Sequence, residues 1–259
     1  LAAKEDISVA LTGLDADSYT WTISEYSQIY ENMVIYFEFT CEREEPDTAL
    51  ICPKGDGTSG NPFQITNIGE LYWFAAFVNG TASYPDGVTV ERSEACAIVM
   101  NDITVNPELL TEDGELNGTS GFAQWTPIAP ANGYKGTFDG QGYAISGIYY
   151  NPGIDTAFYS TYYAGFFGCY IDDGGIVRNL TLKDTYIGAP REKSTYAAGG
   201  IAGMVSSGGT VENCHFDGTV TADDTNGTYT IGGIAGRNQG VIRNCTTKGL
   251  VKGYTKGDI

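Results

Sequence analysis

A repeat constrains this chain more than any other feature. Ala198-Gly-Gly-Ile-Ala-Gly203, followed by Gly-Thr-Val-Glu-Asn-Cys214 and Asp-Gly-Thr-Val220, aligns with Ile231-Gly-Gly-Ile-Ala-Gly236, followed by Gly-Val-Ile-Arg-Asn-Cys245 and Lys-Gly-Leu-Val251. A weaker third copy lies upstream in Ala164-Gly-Phe-Phe-Gly168 and Gly-Ile-Val-Arg-Asn-Leu180. The anchors Gly168, Gly203 and Gly236 are 35 and 33 residues apart, and Asn179, Asn213 and Asn244 are 34 and 31 apart. Such a period, with slack of a few residues, is that of a solenoid coil with a loop of variable length.

Helical repeats share this period, so the content of the unit has to decide. Each unit holds three short apolar-alternating runs punctuated by Gly, Asn and Asp, and none is long or Leu-rich enough for a pair of helices. Gly supplies 35 of the 259 residues, close to twice the about 7% of an average chain. The expectation is an all-β chain: a parallel β-helix in which Ile201 and Ile234 stack inward in register. Gly203 and Gly236 belong to the small-residue strand that lets the coil turn tightly. Asn179, Asn213 and Asn244 sit at a strand end, where Asn accepts a bend conformation and stacked amides bond between coils.

Upstream, Gly136-Thr-Phe-Asp-Gly-Gln-Gly-Tyr-Ala-Ile-Ser-Gly-Ile148 reads as turn, strand, turn, strand. Together with the Gly-Phe-Phe-Gly and Gly-Gly-Ile-Ala-Gly units, it resembles the GLUG-motif repeats of bacterial surface and adhesin-type proteins. The entry through Gly57-Thr-Ser-Gly-Asn-Pro-Phe-Gln-Ile65, Ala97-Ile-Val-Met-Asn-Asp-Ile-Thr-Val105 and Trp125-Thr-Pro-Ile128 is similar too. The resemblance covers about residues 57–259. It implies a right-handed, pectate-lyase-like parallel β-helix and an exported, extracellular or cell-surface protein of bacterial type, such as those of gut bacteria. No ligand is implied by it.

A helix is predicted over about 67–79, with Asn67 as cap and Glu70 as capping-box partner. Ile68, Leu71, Tyr72, Ala75 and Val78 form one apolar face. Trp73, Phe74 and Phe77 make the other side apolar as well, so the helix is expected to plug one end of the solenoid with its back covered. Residues 1–56 carry no repeat and read as a small β-strand module. There Glu45-Pro-Asp-Thr48 is a hairpin turn signal that would place Cys41 opposite Cys52 as a possible disulfide, and Lys54-Gly-Asp-Gly-Thr-Ser-Gly60 reads as a linker. Cys214 and Cys245 are expected as stacked, free thiols.

Charge narrows the partners. With 32 acidic and 14 basic residues the formal net charge is −18, and no basic cluster offers a footprint for nucleic acid. No apolar run approaches the about 18 residues of a membrane span. His215 is the single histidine and reads as a surface residue beside an inward Cys. The pairs Asp172-Asp173 and Asp223-Asp224 read as loop acids, Asp139 as a turn former, and Arg178 and Arg243 as a ladder rather than one catalytic base. No HExxH, nucleophile elbow, EF-hand loop or calcium nonapeptide is present. The expected chain is therefore non-catalytic, without metal or cofactor, a monomeric surface module for adhesion or ligand presentation. The alternative is a polysaccharide-active enzyme on the same scaffold. Tyr149, Tyr150, Tyr159, Tyr162 and Tyr163 are the candidate contact residues for a host or dietary glycan or a host surface protein.

Overall fold

The computed structural model describes residues 19–23, 39–43, 46–118, 120–128, 133–151, 163–189, 197–224 and 230–255. The chain divides into two compact units, one ending at Glu45 and the other beginning at Pro46. In the first, Tyr19–Ile23 and Phe39–Arg43 pair antiparallel, with Trp21 opposite Cys41. The second strand of the hairpin expected to place Cys41 opposite Cys52 does not form. Residues 46–51 form no strand, the Ile51 N–H donates to Gly69 O at 3.2 Å, and Cys52 carries a free, exposed thiol. That bond lays the segment along the start of the helix.

The second unit is a parallel β-helix. Six strands stack on one side: Phe63–Ile65, Ala97–Val99, Thr137–Asp139, Ile176–Arg178, Thr210–Glu212 and Val241–Arg243. A neighbouring side stacks Ile103–Thr104, Ala144–Ser146, Thr181–Ala189, His215–Asp224 and Thr246–Thr255 in parallel, with Tyr149–Tyr150 beside Thr181–Ala189. Two shorter sides complete the later coils. One contains Tyr163–Ala164, Ala197–Gly199 and Thr230–Gly232; the other contains Phe167–Ile171, Ala202–Val205 and Ala235–Asn238.

Each later coil thus has four strand segments where the sequence pattern predicts three. The Ala-Gly-Gly-Ile-Ala run is two strands separated by a bend at Gly200 and Ile201. A Cβ at Gly200 would collide with the Phe216 ring and with Gly233 O. The bend therefore needs a residue without a side chain, while Ile201 turns fully inward. Register carries the core from coil to coil. Phe138, Val177, Val211 and Ile242 align on one side, and Ile145, Leu182, Phe216 and Thr247 on the next.

The helix spans Ile68–Val78. The Asn67 side chain accepts from Glu70 N at 3.0 Å, while the Glu70 carboxylate reaches one residue further back than a capping box requires, accepting from Thr66 N at 2.6 Å. Phe63 meets Trp73 and Phe77 edge-on at 5.2 and 5.4 Å, and Phe74 lies 5.7 Å from Phe138. The back is covered as expected. Tyr84 packs on Phe77 at 5.1 Å, and the Arg92 guanidinium lies over both rings at 4.7 and 4.3 Å, a cation–π arrangement. The predicted linker at 54–60 is a built turn: Asp56 accepts from Thr58 N and from Asn61 Nδ2 at 2.9 and 3.1 Å. Among the described residues no helix is long and apolar enough to cross a membrane.

Candidate functional site

One corner of the coil is marked by Asn179, Asn213 and Asn244, with φ of 51°, 52° and 53°. This left-handed conformation costs most side chains about 1–2 kcal/mol, and Asn is among the few that visit it routinely. The same amides then bond along the solenoid: Asn244 Nδ2 donates to Asn213 Oδ1 at 3.2 Å, and Asn213 Nδ2 donates to Asn179 Oδ1 at 3.2 Å. Asn179 Nδ2 donates to Asp139 Oδ1 at 2.9 Å. The chain of donors runs one way and ends on Asp139, whose carboxylate only accepts.

The residues immediately before the ladder form a second row. Asp139, Arg178, Glu212 and Arg243 are register partners. Arg178 Nε bonds Asp139 Oδ2 at 2.8 Å, and Arg243 is paired with Glu212. Burial pushes the Asp139 carboxyl up, but hydrogen bonds from Asn179, the Gln141 N–H and Arg178 outweigh it and hold the acid below its usual range. Arg178 and Arg243 are thus ladder residues, as their matching repeat positions predict, and Asp139 combines the predicted turn role with an ion pair the sequence did not reveal.

Of the inward set, Ile201 is fully buried, whereas Ile234 is partly buried against the core. Gly203 is buried and Gly236 half-buried. Cys214 is buried and Cys245 half-buried, and both thiols are free. Hydrogen bonding between the two sulfurs and burial raise Cys214, while donation from Cys214 lowers Cys245. His215 is exposed, and its Nδ1 lies 2.6 Å from Thr246 Oγ1.

The aromatic residues do not converge as a single set. Tyr150 is 1% exposed and belongs to the core, because strand alternation turns it inward when Tyr149 faces out. Tyr163 lies on a different side, edge-on to Tyr170 at 5.5 Å. Tyr159 and Tyr162 fall outside the described residues. Tyr149 instead meets Phe122 at 5.1 Å and Tyr186 at 5.9 Å, two residues that sequence reasoning missed. Their separation in sequence hides the cluster: Tyr149 and Tyr186 pair 37 residues apart, outside the spacing of 31 to 35 between the repeat anchors. Around it lie amides: Gln124 Nε2 donates to Asn151 O at 2.9 Å, and the Tyr186 hydroxyl is 3.4 Å from Thr221 Oγ1.

A strap crosses the same side of the solenoid. Asp184 (φ 47°) sits in the irregularity between Leu182 and Thr185 and accepts from Leu109 N and Leu110 N, both at 2.7 Å. Thr219 Oγ1 donates to Gly114 O at 2.7 Å, and Lys252 pairs with Glu115. Beneath this strap is an open groove lined by residues including Lys183, Asp217, Lys248 and Leu250. Among the described residues no group of three or more His, Cys, Asp or Glu side chains is placed to hold a metal ion.

Stacked coils with a polar corner ladder define a parallel β-helix repeat protein. Residues 194–221 and 227–251 match the family model described as the GLUG motif, and the chain is a GLUG-repeat β-helix protein. The weaker copy seen in the sequence, at 164–180, lies outside those two matches yet stacks in the same register through Asn179. The chain is 28% identical over 197 residues to Halomucin of Haloquadratum walsbyi (strain DSM 16790 / HBSQ001), covering 75% of this chain and 2% of that protein. It therefore spans a small fraction of that relative's length. No solved structure matches it.

Proposed function

We propose that the chain is a non-catalytic, extracellular or cell-surface repeat module that makes weak contacts with glycans through the outer aromatic cluster. The observation that carries this reading is the half-exposed pair Tyr149 and Tyr186, with Gln124, Asn151 and Thr221 beside it. A sugar ring takes an apolar face from an aromatic plane and its hydroxyls from nearby amides. A stiff solenoid suits such contacts, because weak sites gain strength when many are presented together. The non-catalytic reading is supported by the commitment of Asp139 to the ladder and of Asp184 to the strap. It is supported also by the placement of the single histidine against Thr246.

The test is glycan-array binding by the parent and by Y149A and Y186A variants. Loss of signal in both, with parental melting behaviour, supports the assignment, while unchanged binding removes the cluster from it. Release of unsaturated or reducing ends from a polyuronide by the purified chain would favour a polysaccharide-active enzyme instead.

A further inference from the structure

Two thiols occupy the same place in consecutive coils. Cys214 and Cys245 each follow a ladder Asn, between the register pairs Glu212–Arg243 and His215–Thr246. Their side chains make matching contacts. Cys214 Sγ donates to Glu212 O at 3.3 Å and lies 3.7 Å from Val177 O. Cys245 Sγ donates to Arg243 O at 3.3 Å and lies 3.6 Å from Val211 O. Val177 and Val211 are themselves register partners, so the contacts of one thiol repeat in the other, one coil on. The two sulfurs therefore point the same way into the solenoid, one above the other. Cys214 is fully buried, and Cys245 packs against the same core. In the preceding coil this position is Leu180, so the column of sulfur begins at Cys214.

A single buried Cys is a small hydrophobe, but two facing sulfurs are a pair of soft donors. Spacing decides what they can share. Equivalent atoms of neighbouring strands lie about 4.7–4.9 Å apart, whereas a disulfide needs Cβ atoms about 3.5–4.5 Å apart and sulfurs about 2.05 Å apart. The same spacing is close to two metal–sulfur bonds of about 2.3 Å placed end to end. A zinc site needs four ligands, or three and a water. Among the described residues no group of three or more His, Cys, Asp or Glu side chains is placed to supply them. His215, next in sequence, is exposed and turned to Thr246. The cation that fits is soft and satisfied by two ligands in line, which is the thiolate chemistry of monovalent copper.

We propose that Cys214 Sγ and Cys245 Sγ form a two-coordinate site for one monovalent copper ion, held between consecutive coils inside the solenoid. Each sulfur gives an electron pair to the ion, and any proton that it carries passes to solvent. Nothing is oxidised or reduced. The two thiolates and the ion together carry one negative charge where the bare thiolates would carry two, which lowers the cost of burying them. The ion ties the coil at Asn213 to the coil at Asn244, beside the amide bond that already joins them.

The test uses the full chain, reduced and kept free of oxygen, with monovalent copper supplied as its bicinchoninate complex. The parent should withdraw one ion per chain from the chelator and melt at a higher temperature once loaded. Copper-edge X-ray absorption should show two sulfur neighbours in line. C214A and C245A should each weaken binding by more than the about 10–100-fold that loss of an outer partner of a metal ligand costs. C52A, which removes an exposed thiol, should bind as the parent does. No withdrawal by the parent, retention by both C214A and C245A, or a spectrum with three or more neighbours overturns the proposal. So does a disulfide between 214 and 245 in the purified chain, found by mass mapping without reductant. The stoichiometry and spectrum of the parent decide the matter even where an alanine variant melts early.

Discussion

Asn213 Nδ2 donates to Asn179 Oδ1 at 3.2 Å across a coil boundary, and the two residues share a left-handed backbone with φ of 52° and 51°. One side chain thus meets two demands at once, turning the corner and tying the coil to its neighbour. The first demand can be met by Gly, but only an amide meets both.

Replacing Asn213 should separate the two contributions. Asn213→Gly keeps the corner and loses the amide bonds, each worth about 1 kcal/mol net. Asn213→Ala loses the bonds and also forces a Cβ-bearing residue into the left-handed region at a further cost of about 1 kcal/mol. Chemical denaturation should therefore rank parent, Gly, Ala in falling stability. An Ala variant as stable as the Gly variant would show that the backbone relaxes at this corner.

The buried stack should be most sensitive where it is deepest. Ile201 is fully buried between coils, whereas Ile234 is partly buried. An unpaired carboxylate at 201 should cost more than about 4 kcal/mol and prevent folding, while Ile234→Asp should give a smaller loss. Circular dichroism melting of Ile201→Asp and Ile234→Asp checks the order, which equal melting of the two variants would contradict.

Acid should weaken the first rung of the ladder. The Asp139 carboxyl is pushed up by burial but held below its ordinary value by Asn179, Gln141 and Arg178. The folded chain therefore binds this proton less readily than the unfolded chain does. The associated stability is present above the unfolded carboxylate value of about 4 and is lost as pH falls through the depressed folded value. In denaturation profiles below pH 4.5, Asp139→Asn should lose less stability than the parent over the same interval.

The strap should come loose without unfolding the solenoid. Asp184→Ala removes the acceptor of the Leu109 and Leu110 N–H groups, and Ala is poorly suited to φ of 47°. Limited proteolysis should then cut within 108–117 at least several times faster than in the parent, while the exchange protection of 215–222 stays unchanged. Asp184→Asn, which tolerates this backbone and retains one acceptor oxygen, should fall between the two.

The repeat, the Asn corner and the helix buried on both sides were legible in the sequence because each depends on local spacing. A period near 33 residues fixes the register of Asn179, Asn213 and Asn244, and an 11-residue helix with two apolar faces must be covered. The doubled strand at Ala-Gly-Gly-Ile-Ala was less legible, because the need for Gly200 comes from Phe216 and Gly233 O, residues of a later strand and of the next coil.

What only the tertiary structure decided was which residues share a face. Tyr149 and Tyr150 are adjacent in sequence, yet one joins Phe122 and Tyr186 outside and the other enters the core. Cys41 lies opposite Trp21 in an antiparallel pair that no sequence pattern marked. Asp184, unremarked in the sequence, anchors a loop more than seventy residues away. Period and propensity act through neighbours along the chain and so can be read from it. Strand partners and outward patches depend on contacts between distant segments, which the sequence does not state until the coils have stacked.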